Sequence, residues 1–321
     1  MIKNKNILIC GASGFIGQNL VRYFNNHNRI YGTYLTKKPK NKLNNVIWIK
    51  ANLLQKTTIS NLFKKNKYDI IIQCAAVTAG VKSMNSDPFR FISDNAIMNS
   101  LLVKASVENN ANHFIFLSCT VMYHNSVKSL SEDDFNFKKK IHKSYEGIAY
   151  TKLYIENICR FYSNNSKTKF TALRHSNIYG PFDKFNNSSG HFMSSIISKI
   201  HNSNNQLLEI WGDGYEKRDF LFIDDLVDGV DIVLKKQISN FEIFNLTYGK
   251  SYSIRNIIKK ILKISSVKKE LIFLKDKPTI KINILVNSKK ISKQLNWKRK
   301  IKIDDGIKKS INWYKKEYII K

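Results

Sequence analysis

Short apolar runs alternate with amphipathic stretches along the first half of the chain. The amphipathic stretches have the spacing of helices, and the longest are Phe15–Asn26, Phe89–Asn110 and Tyr145–Ser163. The apolar runs are typical of strands buried on both faces, as in a parallel sheet: Ile7–Cys10, Arg29–Tyr34, Val46–Ile49, Asp69–Cys74, His113–Ser118 and Phe170–Arg174. This alternation implies right-handed crossovers and predicts an α/β fold with a Rossmann-type, doubly wound parallel sheet.

A glycine-rich turn follows the first of these strands. A strand, a tight turn and a helix succeed one another around Gly11, Gly14 and Gly17. The first glycine permits the turn, the second lets the backbone approach a pyrophosphate, and the third lets the helix pack closely on the strand. A tight turn without a ligand is the alternative. We predict a dinucleotide site lined by Gly11, Ser13, Gly14, Phe15, Ile16 and Gly17, with the N–H groups of the helix start facing the phosphates.

The pattern loosens beyond residue 174. Residues 181–190 are rich in Asn and Ser, which is typical of a loop, and Gly212-Asp213-Gly214 predicts a turn. Helical spacing returns near Asp224–Lys235 and Ser253–Leu262. We expect a smaller C-terminal domain that caps the mouth of the sheet, where ligands of open α/β folds bind. The expected division is a dinucleotide-binding Rossmann domain over 1–174, with a returning segment near 218–247, and a mainly substrate-binding α/β domain over 175–321.

Composition narrows the class of protein. The 321 residues are enough for a sizeable core, and 43% of them are hydrophobic, as in ordinary globular proteins. No apolar run is long enough to span a membrane, and the N-terminus enters the first strand without room for a signal peptide. Cys10, Cys74, Cys119 and Cys159 lack metal-ligand spacing and are typical of reduced thiols. We therefore expect a cytoplasmic protein with no membrane partner and no metal.

The formal net charge of +30 has two interpretations. Nucleic-acid binding is one, but no nucleic-acid-binding motif is present. The C-terminal lysines are spread among Ile and Leu at helical spacing, as on a solvated amphipathic face. We therefore expect no nucleic-acid partner, and we favour attraction of anionic nucleotides as a use of the charge.

Four ordered segments resemble the extended short-chain dehydrogenase/reductases, in their NAD-dependent epimerase/dehydratase family. The glycine turn matches the family's GxxGxxG fingerprint, and Cys74-Ala75-Ala76 stands where the family has Asn-Ala-Ala or Leu-Ala-Ala. Residues 174–181 are similar to R-x-x-N-x-Y-G-P, and residues 218–225 to R-[DE]-[FY]-x-x-V-x-D. Segments 180–193 and 208–220 are most similar to the GDP-L-fucose synthase group. The resemblance implies hydride transfer at carbon 4 of a nucleotide-diphosphate sugar, with GDP as the favoured nucleotide, for surface-polysaccharide precursors.

The resemblance also implies a catalytic tyrosine and a lysine four residues later. The tyrosine acts as acid and base, and the lysine lowers the tyrosine pKa and holds the nicotinamide ribose. Lys152 matches the lysine, but Ile148 stands at the position of the tyrosine. The nearby Ser or Thr of the family is replaced by Cys119, with Thr120 next to it.

Three interpretations of this departure stay open. In the first, the protein is an enzyme in which Tyr145, Tyr179, His191 or Cys119 moves the proton. In the second, solvent or the hydroxyl groups of the substrate supply the proton, because general acid–base help is worth only about 10²–10⁴-fold. In the third, catalysis is impaired and the protein binds a nucleotide sugar as a pseudoenzyme or as the partner subunit of a true dehydrogenase.

The end of the second predicted strand bears on the cofactor. Residues 34–38 contain no acid to bind the ribose hydroxyls of NAD, whereas Thr36, Lys37 and Lys38 suit a 2′-phosphate. We therefore favour NADP(H), with NAD(H) as the alternative. The resemblance further implies that the dinucleotide contacts Asn52, Leu53, Ala75, Ala76 and Lys152.

The resemblance implies substrate contacts as well, from Asn177, Tyr179, Lys184, Trp211 and Arg218. The guanidinium of Arg218 is expected on the diphosphate, since its planar fork matches that group. Finally, the family pairs two long helices across a dimer interface. We therefore expect a homodimer or homotetramer formed through Phe89–Asn110 and Tyr145–Ser163.

Overall fold

The computed structural model describes residues 1–40, 43–77, 88–186, 190–202, 205–277 and 279–320. Its strands are β1 (Asn6–Cys10), β2 (Arg29–Tyr34), β3 (Val46–Lys50), β4 (Ile70–Gln73), β5 (His113–Cys119), β6 (Ser126–Leu130), β7 (Lys169–His175), β8 (Asn177–Tyr179), β9 (Leu207–Trp211), β10 (Lys217–Phe222), β11 (Phe241–Leu246), β12 (Ser251–Ser253), β13 (Glu270–Leu274) and β14 (Ile284–Val286). Its helices are α1 (Phe15–Phe24), α2 (Lys56–Lys65), α3 (Pro88–Glu108), α4 (Glu146–Asn164), α5 (Phe192–Asn202), α6 (Ile223–Lys236), α7 (Ile254–Ser265), α8 (Lys289–Leu295) and α9 (Ile303–Tyr314).

A parallel sheet of seven strands forms the centre of the molecule. Its order is β11-β7-β5-β4-β1-β2-β3, and every neighbouring pair runs parallel. The order reverses between β1 and β4, which is the point where ligands bind in open α/β sheets. The predicted fold class, a Rossmann-type doubly wound parallel sheet, is confirmed.

Helices cover both faces of the sheet because its central strands are apolar on both faces. Leu20, Val21 and Phe24 of α1 pack on one face together with apolar residues of α6. The opposite face is covered by α2, α3 and α4, which contribute residues such as Leu102 and Ile155. Burying an aliphatic or aromatic side chain of this kind stabilises a fold by about 1.5–3 kcal/mol.

Smaller sheets lie in the C-terminal half. The strands β12, β10 and β8 form a mixed sheet, and β13 pairs with β9. Strand β14 pairs with β6, far away in sequence. Strand β11 joins the edge of the main sheet beside β7, so the chain returns to that sheet after β10. The division into two domains at residue 174 stays a prediction.

Helices α3 and α4 pack against each other beside the main sheet. Several large apolar side chains of the pair are exposed, among them Phe89 (78%), Ile97 (49%), Tyr150 (53%), Tyr154 (47%) and Phe161 (64%). Exposed apolar side chains on a packed helix pair are consistent with the predicted dimer interface, which stays a prediction. Among the described helices, none has the length and apolar character needed to cross a membrane.

Candidate active site

The glycine turn between β1 and α1 has the geometry of a phosphate cradle. Gly11 has a φ of +73°, a left-handed conformation that glycine adopts without steric cost. A Cβ on Gly11 would lie 2.6 Å from Cα of Ala75, and a Cβ on Gly17 would lie 2.2 Å from the carbonyl oxygen of Gly11. The turn therefore has room for backbone alone at both positions.

Helix α1 begins without a capping side chain. Gly14 is its N-cap residue, and the first turn contains no acid. Gly14 is exposed, and Ser13, Phe15 and Ile16 are half-buried beside it. The N–H groups at a helix start carry a partial positive charge that favours phosphate. This cradle fits the pyrophosphate of a nicotinamide dinucleotide.

The segment after β2 is basic and solvent-exposed. Thr36, Lys37 and Lys38 are all exposed, and no acid stands among residues 34–38. A 2′-phosphate needs cations that can reach it at the end of this strand, and an unpaired carboxylate there would repel it. The arrangement is consistent with the predicted preference for NADP(H), which stays a prediction.

The turns after β3 and β4 border the same side of the sheet. Asn52 Oδ1 accepts a hydrogen bond of 3.1 Å from the N–H of Leu54, so this side chain shapes the turn, and Leu53 is buried. Ala75 lies half-buried under the glycine turn, and Ala76 is exposed. All four predicted cofactor contacts thus follow the carboxyl ends of β3 and β4, where the fold binds dinucleotides.

Lys152 reaches from α4 to the carboxyl end of β5. Its Nζ donates a hydrogen bond of 2.7 Å to the carbonyl oxygen of Leu117 and lies 4.6 Å from the centroid of the Phe116 ring. Burial lowers the pKa of Lys152. One helical turn earlier, the half-buried Ile148 offers no atom that can donate or accept a proton.

Cys119 ends β5, and Thr120 follows it. Burial raises the pKa of the Cys119 thiol, and the Lys152 ammonium opposes the rise. A thiol with a raised pKa is protonated at neutral pH and is a weak hydrogen-bond donor rather than a nucleophile. Thr120 is buried, and its N–H donates to the carbonyl oxygen of His175 at 3.1 Å.

Tyr145 lies in a short 3₁₀ turn, Lys143–Tyr145, immediately before α4. Burial raises the pKa of its phenol, the Arg218 guanidinium opposes the rise, and Cys119 adds to it. Such effects weaken with distance, so the phenol, the guanidinium and the thiol share one region. Among the residues that the structure describes, no carboxylate forms an ion pair with the half-buried Arg218.

His191 is exposed beside the glycine turn. Its Nδ1 lies 2.7 Å from Oδ1 of Asp183, a carboxylate that is fully buried. This hydrogen bond raises the pKa of His191. The imidazole centroid is 6.1 Å from that of the Phe15 ring. Lys184 is exposed, and its backbone N–H donates to the same Asp183 oxygen at 2.8 Å.

His175 is a site residue that the sequence reasoning missed. It ends β7, is half-buried, and pairs in register with Cys119 of β5. Its imidazole is close enough to Lys152 and His191 for both to lower its pKa. The available signal was a polar residue directly after Arg174, at the carboxyl end of a predicted buried strand, which is where the fold places its ligands.

The prediction that Tyr179 binds the substrate or transfers a proton is wrong. Its side chain is 1% exposed, and its hydroxyl donates to the carbonyl oxygen of Ile303 at 3.3 Å. The ring packs against those of Phe220 and Phe222 in the core. Burial raises the pKa of the phenol well above its ordinary value. Tyr179 therefore has a packing role.

The predicted contacts of Asn177 and Trp211 with the substrate stay predictions. Asn177 begins β8, and its Nδ2 donates to the carbonyl oxygen of Asp219 at 2.9 Å, so its amide nitrogen helps to join β8 to β10. Trp211 ends β9 and is 49% exposed.

A buried ionic network lies under the site. Arg174 NH2 donates to Oε2 of Glu156 at 2.6 Å, and Arg174 NH1 donates to the hydroxyl of Tyr123 at 2.8 Å. Ser118 Oγ donates to Oε1 of Glu156 at 2.6 Å. The network joins α4, β5 and β7, the three elements that carry Lys152, Cys119 and His175. It therefore fixes their relative positions.

These features define an α/β protein with a candidate dinucleotide site and a candidate active site at the carboxyl edge of its sheet. Residues 7–247 match the NAD dependent epimerase/dehydratase family, and the chain belongs to this family. The family assignment based on the four sequence segments is confirmed.

Relatives with known names work on nucleotide sugars. The chain is 25% identical to GDP-L-colitose synthase of Yersinia pseudotuberculosis over 315 residues, which cover 97% of this chain and 98% of that protein. It is 21% identical to GDP-L-fucose synthase of Escherichia coli over 324 residues, which cover 98% and 97% of the two chains.

Solved structures share the fold. UDP-glucose 4-epimerase of Thermotoga maritima with UDP-glucose matches with a TM-score of 0.87 and 21% identity, over 97% of this chain and 99% of that one. A variant of UDP-glucuronic acid 4-epimerase of Bacillus cereus, in complex with a fluorinated UDP-sugar and NAD, matches with a TM-score of 0.83 and 25% identity. That match covers 98% of this chain and all of the other.

Proposed function

We propose that this protein is an NAD(P)(H)-dependent oxidoreductase or epimerase of nucleotide sugars. It transfers hydride at carbon 4 of a sugar linked to a nucleoside diphosphate, GDP by preference, and serves the synthesis of surface-polysaccharide precursors. The relatives support the substrate class, since two of them are named as synthases of GDP-L-colitose and GDP-L-fucose. The resemblance of segments 180–193 and 208–220 supports GDP as the nucleotide.

The position of Lys152 is the observation on which the proposal depends. Its ammonium is held at the carbonyl of Leu117, at the carboxyl edge of the sheet and on the same edge as the glycine turn. One of its three N–H groups is used by that carbonyl, which leaves two donors for a ribose or a sugar hydroxyl. An ammonium there also favours negative charge on an oxygen of the substrate.

The dinucleotide would be held by the glycine turn, the basic segment after β2 and Lys152. Its nicotinamide supplies or accepts the hydride. The guanidinium of Arg218 provides a partner for the diphosphate of the sugar nucleotide. We favour NADP(H) because Lys37 and Lys38 are exposed with no acid near them in sequence, and NAD(H) remains the alternative, since one similar structure contains NAD.

Replacing Lys37 and Lys38 together with alanine tests the cofactor. Loss of two cations beside a 2′-phosphate is expected to raise the Kd of NADPH by up to about thirtyfold, because each exposed ion pair is worth up to about 1 kcal/mol. The Kd of NADH is expected to change less than about twofold. Equal loss for both cofactors contradicts the NADP(H) preference. Fluorescence titration measures both constants.

The rival proposal is a nucleotide-sugar-binding pseudoenzyme or partner subunit. It rests on Ile148, which has no group to move a proton one helical turn before Lys152. A direct experiment tests whether the protein binds a nicotinamide dinucleotide. The purified protein is denatured, and the released nucleotides are identified by mass spectrometry. Bound NAD(H) or NADP(H) in stoichiometric amount supports an epimerase that recycles its cofactor. Protein that is empty and binds no added dinucleotide contradicts the oxidoreductase proposal.

Lys152→Ala tests the site itself. We expect loss of cofactor affinity and of turnover with a panel of GDP- and UDP-sugars. Lys236→Ala is a matched control, because Lys236 also donates from Nζ to a carbonyl, that of Leu295, at 3.0 Å. Full activity and full cofactor affinity in Lys152→Ala refute this assignment of the site.

A homodimer formed through α3 and α4 completes the proposal. Their exposed apolar side chains need a cover, and a second copy of the same surface supplies one with two-fold symmetry.

A further inference from the structure

His175 stands at the mouth of the site without a role in the reaction described so far. It is opposite Cys119 in the parallel pair β5–β7. Paired residues of neighbouring strands project to the same face of a sheet, so the imidazole lies beside the thiol. Its backbone carbonyl accepts the N–H of Thr120 at 3.1 Å, which fixes the main chain of this residue.

One nitrogen of the imidazole is engaged within the protein. Nδ1 lies 2.8 Å from the carbonyl oxygen of Ser176. A carbonyl oxygen only accepts hydrogen bonds, so Nδ1 must carry the proton in this contact. In the neutral ring the lone pair is then on Nε2. His175 is thereby held as a hydrogen-bond acceptor at Nε2.

The surroundings keep the ring neutral. Burial lowers the pKa of His175 to about 4, the bond to the Ser176 carbonyl opposes this, and Lys152 and His191 lower the pKa further. The same effects make the neutral ring a weak base, so proton transfer to it depends on Lys152 stabilising the oxygen that the proton leaves. Both side chains therefore lie near the imidazole, Lys152 on α4 and His191 facing Phe15 of the glycine turn.

We infer that His175 takes the place of the missing tyrosine and binds the proton of the reacting sugar hydroxyl at Nε2. This inference rests on the proposed function. It differs from the alternatives considered from the sequence, because it uses a side chain of β7. Tyr145 lies in the turn before α4, Cys119 on β5, and His191 in the loop after β8.

The step balances as an oxidation of a carbinol to a ketone. The O–H bond breaks and its proton goes to Nε2 of His175. The C–H bond at the same carbon breaks, and its hydrogen leaves with the electron pair as hydride to an oxidised nicotinamide dinucleotide, the co-reactant. The C–O bond becomes C=O. Lys152 stabilises negative charge on the oxygen as the proton leaves. When the hydride returns to the sugar, as in an epimerase, His175 gives back the proton that it has taken up. A reduction that starts from a ketone would need a protonated ring, which the lowered pKa disfavours.

The first test examines the tautomer and does not need turnover. Nitrogen-15 NMR of the histidine side chains, assigned with His175→Asn, is expected to show a protonated Nδ1 and a bare Nε2 in wild-type protein near neutral pH. Addition of NADP⁺ is expected to shift the Nε2 resonance. NAD⁺ replaces NADP⁺ in this test if NADP⁺ does not bind. A proton on Nε2, or a resonance that the bound dinucleotide leaves unchanged, overturns the inference.

The second test examines the step. His175→Asn keeps a donor for the Ser176 carbonyl and removes the base. With GDP-mannose, GDP-fucose, UDP-glucose and UDP-galactose as probes, single-turnover hydride transfer is expected to fall about 10²–10⁴-fold in this variant. The Kd of NADP⁺ should stay within about twofold. Added imidazole should restore the rate in His175→Ala and should not restore it in Lys152→Ala. A purely structural role for His175 would not produce this rescue by imidazole.

His201→Asn is the matched control, since His201 Nδ1 likewise lies 2.9 Å from a carbonyl oxygen, that of Ile197. It is expected to keep the wild-type rate. If the wild type turns over a probe and His175→Asn does so equally fast, the inference about His175 fails alone. If the wild type binds NADP⁺ and turns over none of the four probes, the proposed function fails together with it.

Discussion

Glu156→Gln tests whether the buried ionic network holds the site together. Glu156 and Arg174 are 3% and 4% exposed, and Arg174 donates to both carboxylate oxygens. In the variant one carboxylate oxygen becomes an NH₂ group, which is a donor. A guanidinium and an amide nitrogen cannot hydrogen-bond each other, so one donor on each side loses its partner. The charge of Arg174 is also left uncompensated in the core.

The expected decrease in the free energy of unfolding is large for a change of a single atom. Breaking a buried ion pair by neutralising one partner costs about 3–5 kcal/mol, because the remaining charge stays desolvated. The entropy of unfolding is about 2.1 cal/mol/K per residue, so for 321 residues the melting temperature should fall by about 4–8 °C. Circular dichroism during heating measures this shift, and urea unfolding gives the free energy independently.

The chain provides a matched surface control. Lys104 and Glu108 form an ion pair of 3.6 Å on α3, with side chains 55% and 60% exposed. Glu108→Gln should cost no more than about 0.5 kcal/mol, since solvent screens such pairs. If Glu156→Gln costs as little as Glu108→Gln, the reasoning is refuted. Replacing Glu156 with Leu and Arg174 with Met together should cost less than Glu156→Gln, because no unpaired charge remains.

Three further predictions follow from local geometry. Gly17→Ala places a Cβ 2.2 Å from the carbonyl oxygen of Gly11, so the turn must move, and titration should show at least about tenfold weaker NADPH binding. Asp183→Asn removes the negative charge of the acceptor whose hydrogen bond raises the pKa of His191, so an NMR titration should show that pKa falling toward its ordinary value. In the wild type, the stability that this pair contributes is present below the ordinary histidine pKa and is lost as the pH rises through the raised value. Phe161→Glu puts charge on an exposed apolar surface, so light scattering should report a monomer for the variant and the proposed dimer for the wild type; an equal mass for the two contradicts the α3–α4 interface.

The main sheet was predictable because each of its strands can be recognised from a short segment of sequence. Each central strand is a short apolar run between turn residues, and the glycine turn marks the crossover from β1 to α1. The pairings β6–β14 and β9–β13 join segments far apart in sequence, and no periodicity within one segment encodes them. The start of α4 also differs from the prediction. The helix begins at Glu146, and Tyr145 belongs to the preceding turn.

The position of a site residue was predictable where a local sequence motif determines the backbone conformation. It was less predictable where packing against residues far along the chain determines where the side chain lies. Tyr179 belongs to a recognisable segment, yet its hydroxyl enters the core because Gly306 of α9 leaves room for it. A Cβ on Gly306 would lie 2.2 Å from that hydroxyl. The sequence near Tyr179 contains no information about Gly306, which lies far along the chain. His175 was missed for a related reason, since its neighbours Lys152 and His191 come from other elements.

The residues that match the family are not all equally strong evidence of function. Gly17 is required by packing alone, because any side chain there would collide with the turn, so a protein without a ligand would need it as well. Lys152 is different. Burial lowers its pKa, which means that the charged form is disfavoured, and its hydrogen bond to a carbonyl that also belongs to a strand offsets only part of that cost. An apolar side chain would pack on Phe116 without this penalty. A partly desolvated ammonium at the carboxyl edge of the sheet is therefore poorly explained by stability, and it is the stronger evidence that the site still binds a ligand despite Ile148.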